Sequence, residues 1–142
     1  AGTADAARFA ELTLALNQRR AGSIFIVGGS AERSLAEEIL ARVRDGGGTA
    51  VDAVALPLEQ VAALLARCRC YIGNDTGVLN MAAALQVPAI GLFGGSAPLW
   101  HSRFIHPLLP PAGEHGMAAI TVSQVLEALA RWSGPDVHHT LA

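Results

Sequence analysis

Four short, largely apolar runs, at residues 23–27, 51–56, 70–73 and 88–93, alternate with segments whose apolar residues recur at helical spacing. This alternation limits the fold more than any other feature of the sequence. A strand that is apolar throughout must be covered on both faces, and such strands, interleaved with amphipathic helices, form parallel sheets. Phe9, Leu12 and Leu16 share one face of a first helix, which Arg19, Arg20 and Gly22 close. Leu35, Ile39 and Val43 point inward along residues 31–44, and Asp45-Gly-Gly-Gly48 ends that helix. Pro57 opens a third helix with Val61, Leu64 and Leu65 facing the core. Residues 78–86 and 123–132 supply two more. The expectation is an α/β domain over residues 1–132, a parallel sheet between two helical layers, followed by a polar tail at 133–142. Crossovers in such a sheet are right-handed, and ligands bind beyond the carboxyl ends of the strands. That rule selects residues 28–32, 74–78 and 94–98. Residues 94–116, rich in proline and carrying His101, His106 and His115, read as one long irregular segment.

Composition narrows the chemistry. With 142 residues, 51% of them hydrophobic, and a net charge of −2, the chain is far from the disordered class. A domain of that size buries roughly two-thirds of its unfolded surface. All ten basic residues are arginine, so Schiff-base and P-loop lysine chemistry are excluded. The arginines are scattered and form no basic stripe, which argues against nucleic acid as a partner. Cys68 and Cys70 have no second pair to complete a zinc site and read as two reduced thiols. The histidine spacings in the 94–116 segment fit no helical metal pair, so no metal is expected. Trp100 is placed either to stack on a sugar or to pack beneath that segment. No apolar leader opens residues 1–20, and the most apolar stretch, 81–95, falls short of the roughly 20 residues a membrane span needs. A cytoplasmic protein is expected.

The segment Tyr71-Ile-Gly-Asn-Asp-Thr-Gly-Val-Leu-Asn-Met-Ala-Ala-Ala-Leu85 is the richest in chemistry. A strand ends, a tight turn presents Asp75 and Thr76, and a helix starts near Gly77. The first amides of a helix have no partner within it and carry the positive end of its dipole, and a glycine there allows close approach to the backbone. Two readings stand side by side. In one, this helix end binds a phosphate or diphosphate; in the other, Asp75 or Thr76 is simply the N-cap.

The run Asn74-Asp-Thr-Gly-Val-Leu-Asn-Met-Ala-Ala-Ala-Leu85, followed by Val87-Pro-Ala-Ile-Gly-Leu-Phe-Gly94, resembles the heptosyltransferase-type glycosyltransferases. Phe9-Ala-Glu-Leu12, Val27-Gly-Gly-Ser-Ala-Glu32 and Leu58-Glu-Gln-Val-Ala-Ala-Leu64 match the same family in order and spacing, so the similarity runs from residue 7 to residue 132. Members of that family have two Rossmann-like halves in the GT-B arrangement, and the resemblance places this chain in the C-terminal half. It implies a donor site in which Asp75, Thr76, Gly77, Val78 and Asn80 line the diphosphate, with Ser30 nearby. Glu32 is implied to hold the ribose hydroxyls, since a carboxylate accepts from two neighbouring hydroxyls. A carboxylate in the first turn of a helix also complements the helix dipole, and that reading of Glu32 stays open. Leu56 and Leu58 are implied to flank the base, with the core as the other place for Leu56.

Three departures from the family pattern are visible. Asn80 stands where the family has histidine, Ala97 stands where it has an acid, and residues 1–5 carry no basic residue. The resemblance implies a bacterial enzyme that moves a sugar, heptose above all, from a nucleoside-diphosphate donor, ADP-linked, to a lipopolysaccharide-type acceptor. No further cofactor is implied. The general base is implied in an N-terminal half, which would be the chain's partner domain, and the whole would act at the inner membrane without spanning it. The 142 residues alone are expected to turn over nothing. The alternative, motivated by Asn80 and Ala97, is a non-catalytic nucleotide-binding or assembly module.

Overall fold

The computed structural model describes residues 3–19, 22–74, 77–92, 104–111, 113–114 and 120–131. The chain divides into two compact units, residues 1–58 and 59–142.

The first unit contains helix α1 (Thr3–Arg19), strand β1 (Phe25–Gly28), a single 3₁₀ turn (Ser30–Glu32), helix α2 (Arg33–Asp45) and strand β2 (Val51–Val54). β1 and β2 are parallel, in register from Phe25 opposite Val51 to Gly28 opposite Val54. Ala6, Ala10, Ile39 and Val43 form the core, with Phe9, Leu14, Ile26, Leu35 and Ala50 packed around them. Ala6 and Ala10 are small enough to let α1 lie close on α2, while Ile39 and Val43 fill the space. Thr13 is buried on the same helix, and its hydroxyl donates to the Phe9 carbonyl at 2.8 Å. α2 stops in a Schellman motif. The Gly48 amide donates to the Val43 carbonyl (2.9 Å) and the Gly47 amide to the Arg44 carbonyl (3.0 Å), with Gly47 at φ +82°.

The second unit contains helix α3 (Leu58–Leu65, its first residue closing the first unit), strand β3 (Tyr71–Asn74), helix α4 (Gly77–Ala84), strands β4 (Ala89–Leu92) and β5 (Ile105–Leu108), and helix α5 (Val122–Arg131). β3, β4 and β5 form a parallel sheet in that order. β4 is central, and Ala89 and Ile90 are wholly buried, as its unbroken apolar run requires. Leu79 of α4 is also wholly buried. In β3, side chains two apart share a face, and the Tyr71 ring lies over Gly73. A Cβ at Gly73 would sit 2.6 Å from the Tyr71 Cζ.

Helices and parallel strands therefore alternate as the hydrophobic pattern predicts, with most boundaries shifted by one to three residues. Two differences are physical. Residues 30–32 form a tight 3₁₀ turn before α2. β5 lies within the stretch read as irregular. Among the described strands it forms one edge of its sheet, and a proline is tolerated where a strand bonds to a neighbour on one side only. The Phe104 carbonyl accepts from Ala89 at 2.8 Å, and since alternate residues of a strand face its partner, Pro107 turns its nitrogen outward. Residues 93–103 and 132–142, which include Ala97, Trp100, His101 and the expected tail, lie outside the described residues.

Candidate functional site

In the first unit the site residues gather where β1 ends. Gly28 closes the strand, Gly29 is extended, and Ser30 and Glu32 follow on the 3₁₀ turn, both exposed. Glu32 folds back on this corner. Its Oε1 accepts from the Gly29 amide at 2.8 Å, and its own amide donates to the Gly29 carbonyl at 3.0 Å. The Glu32 side chain thus makes the half of a capping box that reaches back to the backbone, and the other bond is backbone to backbone. Close packing follows, since a Cβ on Gly28 would come within 3.3 Å of the Glu32 Cβ. The bond to the Gly29 amide occupies one Glu32 oxygen. Among the described residues nothing donates to Oε2.

β2 ends beside this turn. The chain turns sharply at Ala55, whose φ is +62° and whose amide donates to the Gly28 carbonyl at 2.8 Å. Leu56 is half-buried. Leu58, at the start of α3, is 67% exposed.

The structure adds two residues to this corner, Arg33 and Asp52. The Arg33 guanidinium donates to Asp52 Oδ2 at 2.6 Å and to the Val54 carbonyl at 3.2 Å. The other Asp52 oxygen accepts from the Val54 amide at 3.0 Å. That amide, and then the arginine, hold the Asp52 carboxyl below its ordinary range. The sequence marks each of the two residues separately and gives no sign that they pair. Asp52 is the one charged residue in an otherwise apolar strand, and Arg33 directly follows Glu32.

In the second unit, β3 ends at Asn74 and α4 begins at Gly77. Asp75 and Thr76, between them, lie outside the described residues. Gly77 and Asn80 are exposed, and Val78 is half-buried. The buried Leu79, Ala82 and Ala83 seat the helix on its unit. A side chain built on Gly77 would meet no described atom within 4 Å, so this helix end has room beside its backbone. Ser30, Glu32 and Leu58 thus belong to the first unit, and Gly77, Val78 and Asn80 to the second.

The remaining candidates bear on chemistry less directly. Both cysteines are free thiols; Cys68 donates to the Leu64 carbonyl, and burial pushes its pKa up, away from the reactive thiolate. His106, on β5, is half-buried, and burial lowers its pKa. Among the described residues no three His, Cys, Asp or Glu side chains form a metal-binding group, and no helix is long and apolar enough to cross a membrane. A shallow cleft of about 440 Å³, lined by Ala7, Ala10, Glu11, Leu14, Arg42, Asp45 and Gly46, lies at the far end of α2. Some 18 Å of helix separate it from Glu32, so it is not part of this corner.

Comparison with known proteins gives a consistent picture. The model of glycosyltransferase family 9 (heptosyltransferase) matches residues 4–110. Over 41 residues the chain is 44% identical to lipopolysaccharide heptosyltransferase 2 of Salmonella typhimurium and 42% identical to that of Escherichia coli K12. Those alignments cover 29% of this chain and 12% of each relative. Among solved structures, the glycosyl transferase family 9 protein of Veillonella parvula superposes with a TM-score of 0.77 at 20% identity, covering 89% of this chain and 40% of that one. E. coli heptosyltransferase WaaC, solved with ADP-2-deoxy-2-fluoro heptose, superposes with a TM-score of 0.70 at 22% identity, covering 89% and 38%. The chain thus spans well under half the length of the proteins it resembles.

Proposed function

Because the chain belongs to glycosyltransferase family 9 (heptosyltransferase), we propose that residues 1–132 are the donor-binding part of a sugar transferase. The full enzyme would move a sugar, heptose in our reading, from a nucleoside-diphosphate donor to a hydroxyl of a lipopolysaccharide-type acceptor. The observation that carries this reading is Glu32. Its carboxylate is fixed by one oxygen to the Gly29 amide at the carboxyl end of β1, and its other oxygen has no described donor. A vicinal diol such as a ribose supplies the two donors that such a carboxylate accepts. Ser30 stands on the same turn as a further hydroxyl, and the exposed Leu58 offers apolar surface to a base.

For the diphosphate, the reading uses the start of α4. The amides of Gly77 and Val78 open this helix, where the first donors have no acceptor within the helix and the dipole favours an anion. Asp75 and Thr76 precede it and are assigned to the same site. Charge that builds on the leaving diphosphate would be met by these fixed donors. Asn80 contributes a neutral hydrogen bond where a histidine would add positive charge. The base that deprotonates the acceptor is assigned to an N-terminal partner domain, so these residues alone carry out no turnover. The donor is taken as ADP-linked, in line with the ligand named for WaaC. It is substrate rather than cofactor, and the site is placed on the cytoplasmic side, peripheral to the inner membrane.

Isothermal titration with ADP and ADP-heptose tests the reading. Micromolar binding that Gly77→Asp abolishes supports it, because the new carboxylate would occupy the open space beside Gly77 and repel the diphosphate. No binding by the unmodified chain overturns it and favours a non-catalytic assembly module, the reading that Asn80 suggests. Preference for UDP or GDP would reassign the donor.

A further inference from the structure

Glu32 sits between two sets of bonds. On one side its carboxylate and amide are tied to Gly29. On the other, Arg33, the next residue, reaches across to β2 and bonds both Asp52 and the Val54 carbonyl. Asp52 in turn accepts from the Val54 amide, and the Ala55 amide ties the end of β2 back to Gly28. The end of β1, the 3₁₀ turn, the start of α2 and the end of β2 are thereby linked in a ring around Glu32.

Arg33 and Asp52 are 40% and 43% exposed, so solvent screens their attraction and the pair adds little to overall stability. What two bonds from a planar guanidinium do supply is direction. Each Asp52 oxygen accepts one bond, from Arg33 and from the Val54 amide, so its tie to the Glu32 turn runs through Arg33.

We propose that Arg33 and Asp52 are positioning residues for the donor's ribose. Their link sets the angle of the Glu32 turn against β2, so that the Glu32 oxygen with no donor among the described residues meets the diol. The proposal rests on the donor-site reading above. It adds a specificity role for two residues that make no contact with the sugar themselves.

The test is titration of the chain with ADP and with 2′-deoxy-ADP, which lacks one ribose hydroxyl. The unmodified chain is expected to prefer ADP by about tenfold, the worth of a hydrogen bond to a charged group. Asp52→Asn and Arg33→Gln should each reduce that preference to about threefold while leaving the affinity for 2′-deoxy-ADP within about twofold. The double variant should be no worse than Arg33→Gln alone, because all three variants remove the Arg33–Asp52 ion pair. Should Arg33→Gln fail to fold, Asp52→Asn, which keeps the side chain's shape, decides the matter alone. Variants that retain the full preference, or that weaken both nucleotides equally, overturn the proposal and leave an ordinary surface ion pair. An unmodified chain that binds ADP without preferring it over the deoxy form removes the ribose role of Glu32, and the proposal with it. An unmodified chain that binds neither nucleotide refutes the donor site itself.

Discussion

Gln86 occupies, after α4, the backbone position that Gly47 occupies after α2. Both helices close with the same bonding pattern. The Val87 amide donates to the Ala82 carbonyl (2.9 Å) and the Gln86 amide to the Ala83 carbonyl (3.0 Å), matching the Gly48 and Gly47 bonds after α2. The φ angles are +62° at Gln86 and +82° at Gly47. Left-handed backbone is free for glycine and costs other residues roughly 1 kcal/mol. Gln86→Gly is therefore expected to stabilise the protein by about 1 kcal/mol, and Gly47→Ala to destabilise it by a similar amount. Urea unfolding curves for both variants check the opposite signs.

Leu79 is the best-enclosed large side chain of α4. Leu79→Ala should cost about 3 kcal/mol, combining lost burial with the cavity left behind. Because Leu79 seats the helix that opens at Gly77, the same variant should also weaken ADP binding. An unfolding midpoint within error of the unmodified protein would contradict the packing described.

The lowered pKa of Asp52 sets a pH dependence. A carboxylate whose folded pKa lies below its unfolded value of 3.8 stabilises the fold above that value, and the contribution is lost as pH falls through the folded pKa. The unmodified protein should therefore lose more stability than Asp52→Asn between about pH 5 and pH 2. Unfolding midpoints measured across that range should converge toward the acid end. Parallel curves would show that the Arg33 and Val54 bonds do not persist in solution.

Glu32→Gln separates the two roles of that side chain. Glutamine keeps an acceptor for the Gly29 amide, so the thermal midpoint should hold. It loses the negative charge that strengthens a bond from a ribose hydroxyl, so ADP affinity should fall by about tenfold. Calorimetric titration and a thermal melt on the same sample read both effects.

The parallel strands and their helices were legible because burial on both faces leaves an unbroken apolar run, as at Ala89 and Ile90. β5 was not, because Pro107 and the prolines around it mask a four-residue edge strand. The glycines that end β1 and the step from strand to helix at Gly77 were legible in the pattern, whereas the roles assigned to Glu32 and Gly77 come from the family resemblance. The Arg33–Asp52 link was not legible. Its partners lie 19 positions apart, and nothing in local periodicity shows which surface charges a crossover brings together. Asp75 and Thr76, the centre of the sequence motif, lie outside the described residues, so their assignment to the donor site rests on the motif.

Tyr71 is the chain's single tyrosine, and its ring is laid along β3 over Gly73, one residue before that strand ends at Asn74. Replacing it biosynthetically with fluorotyrosine would give one resonance for the entire protein. That nucleus would sit on the strand feeding the Gly77 corner, so a nucleotide's arrival could be followed spectroscopically without adding any foreign label to the surface it meets.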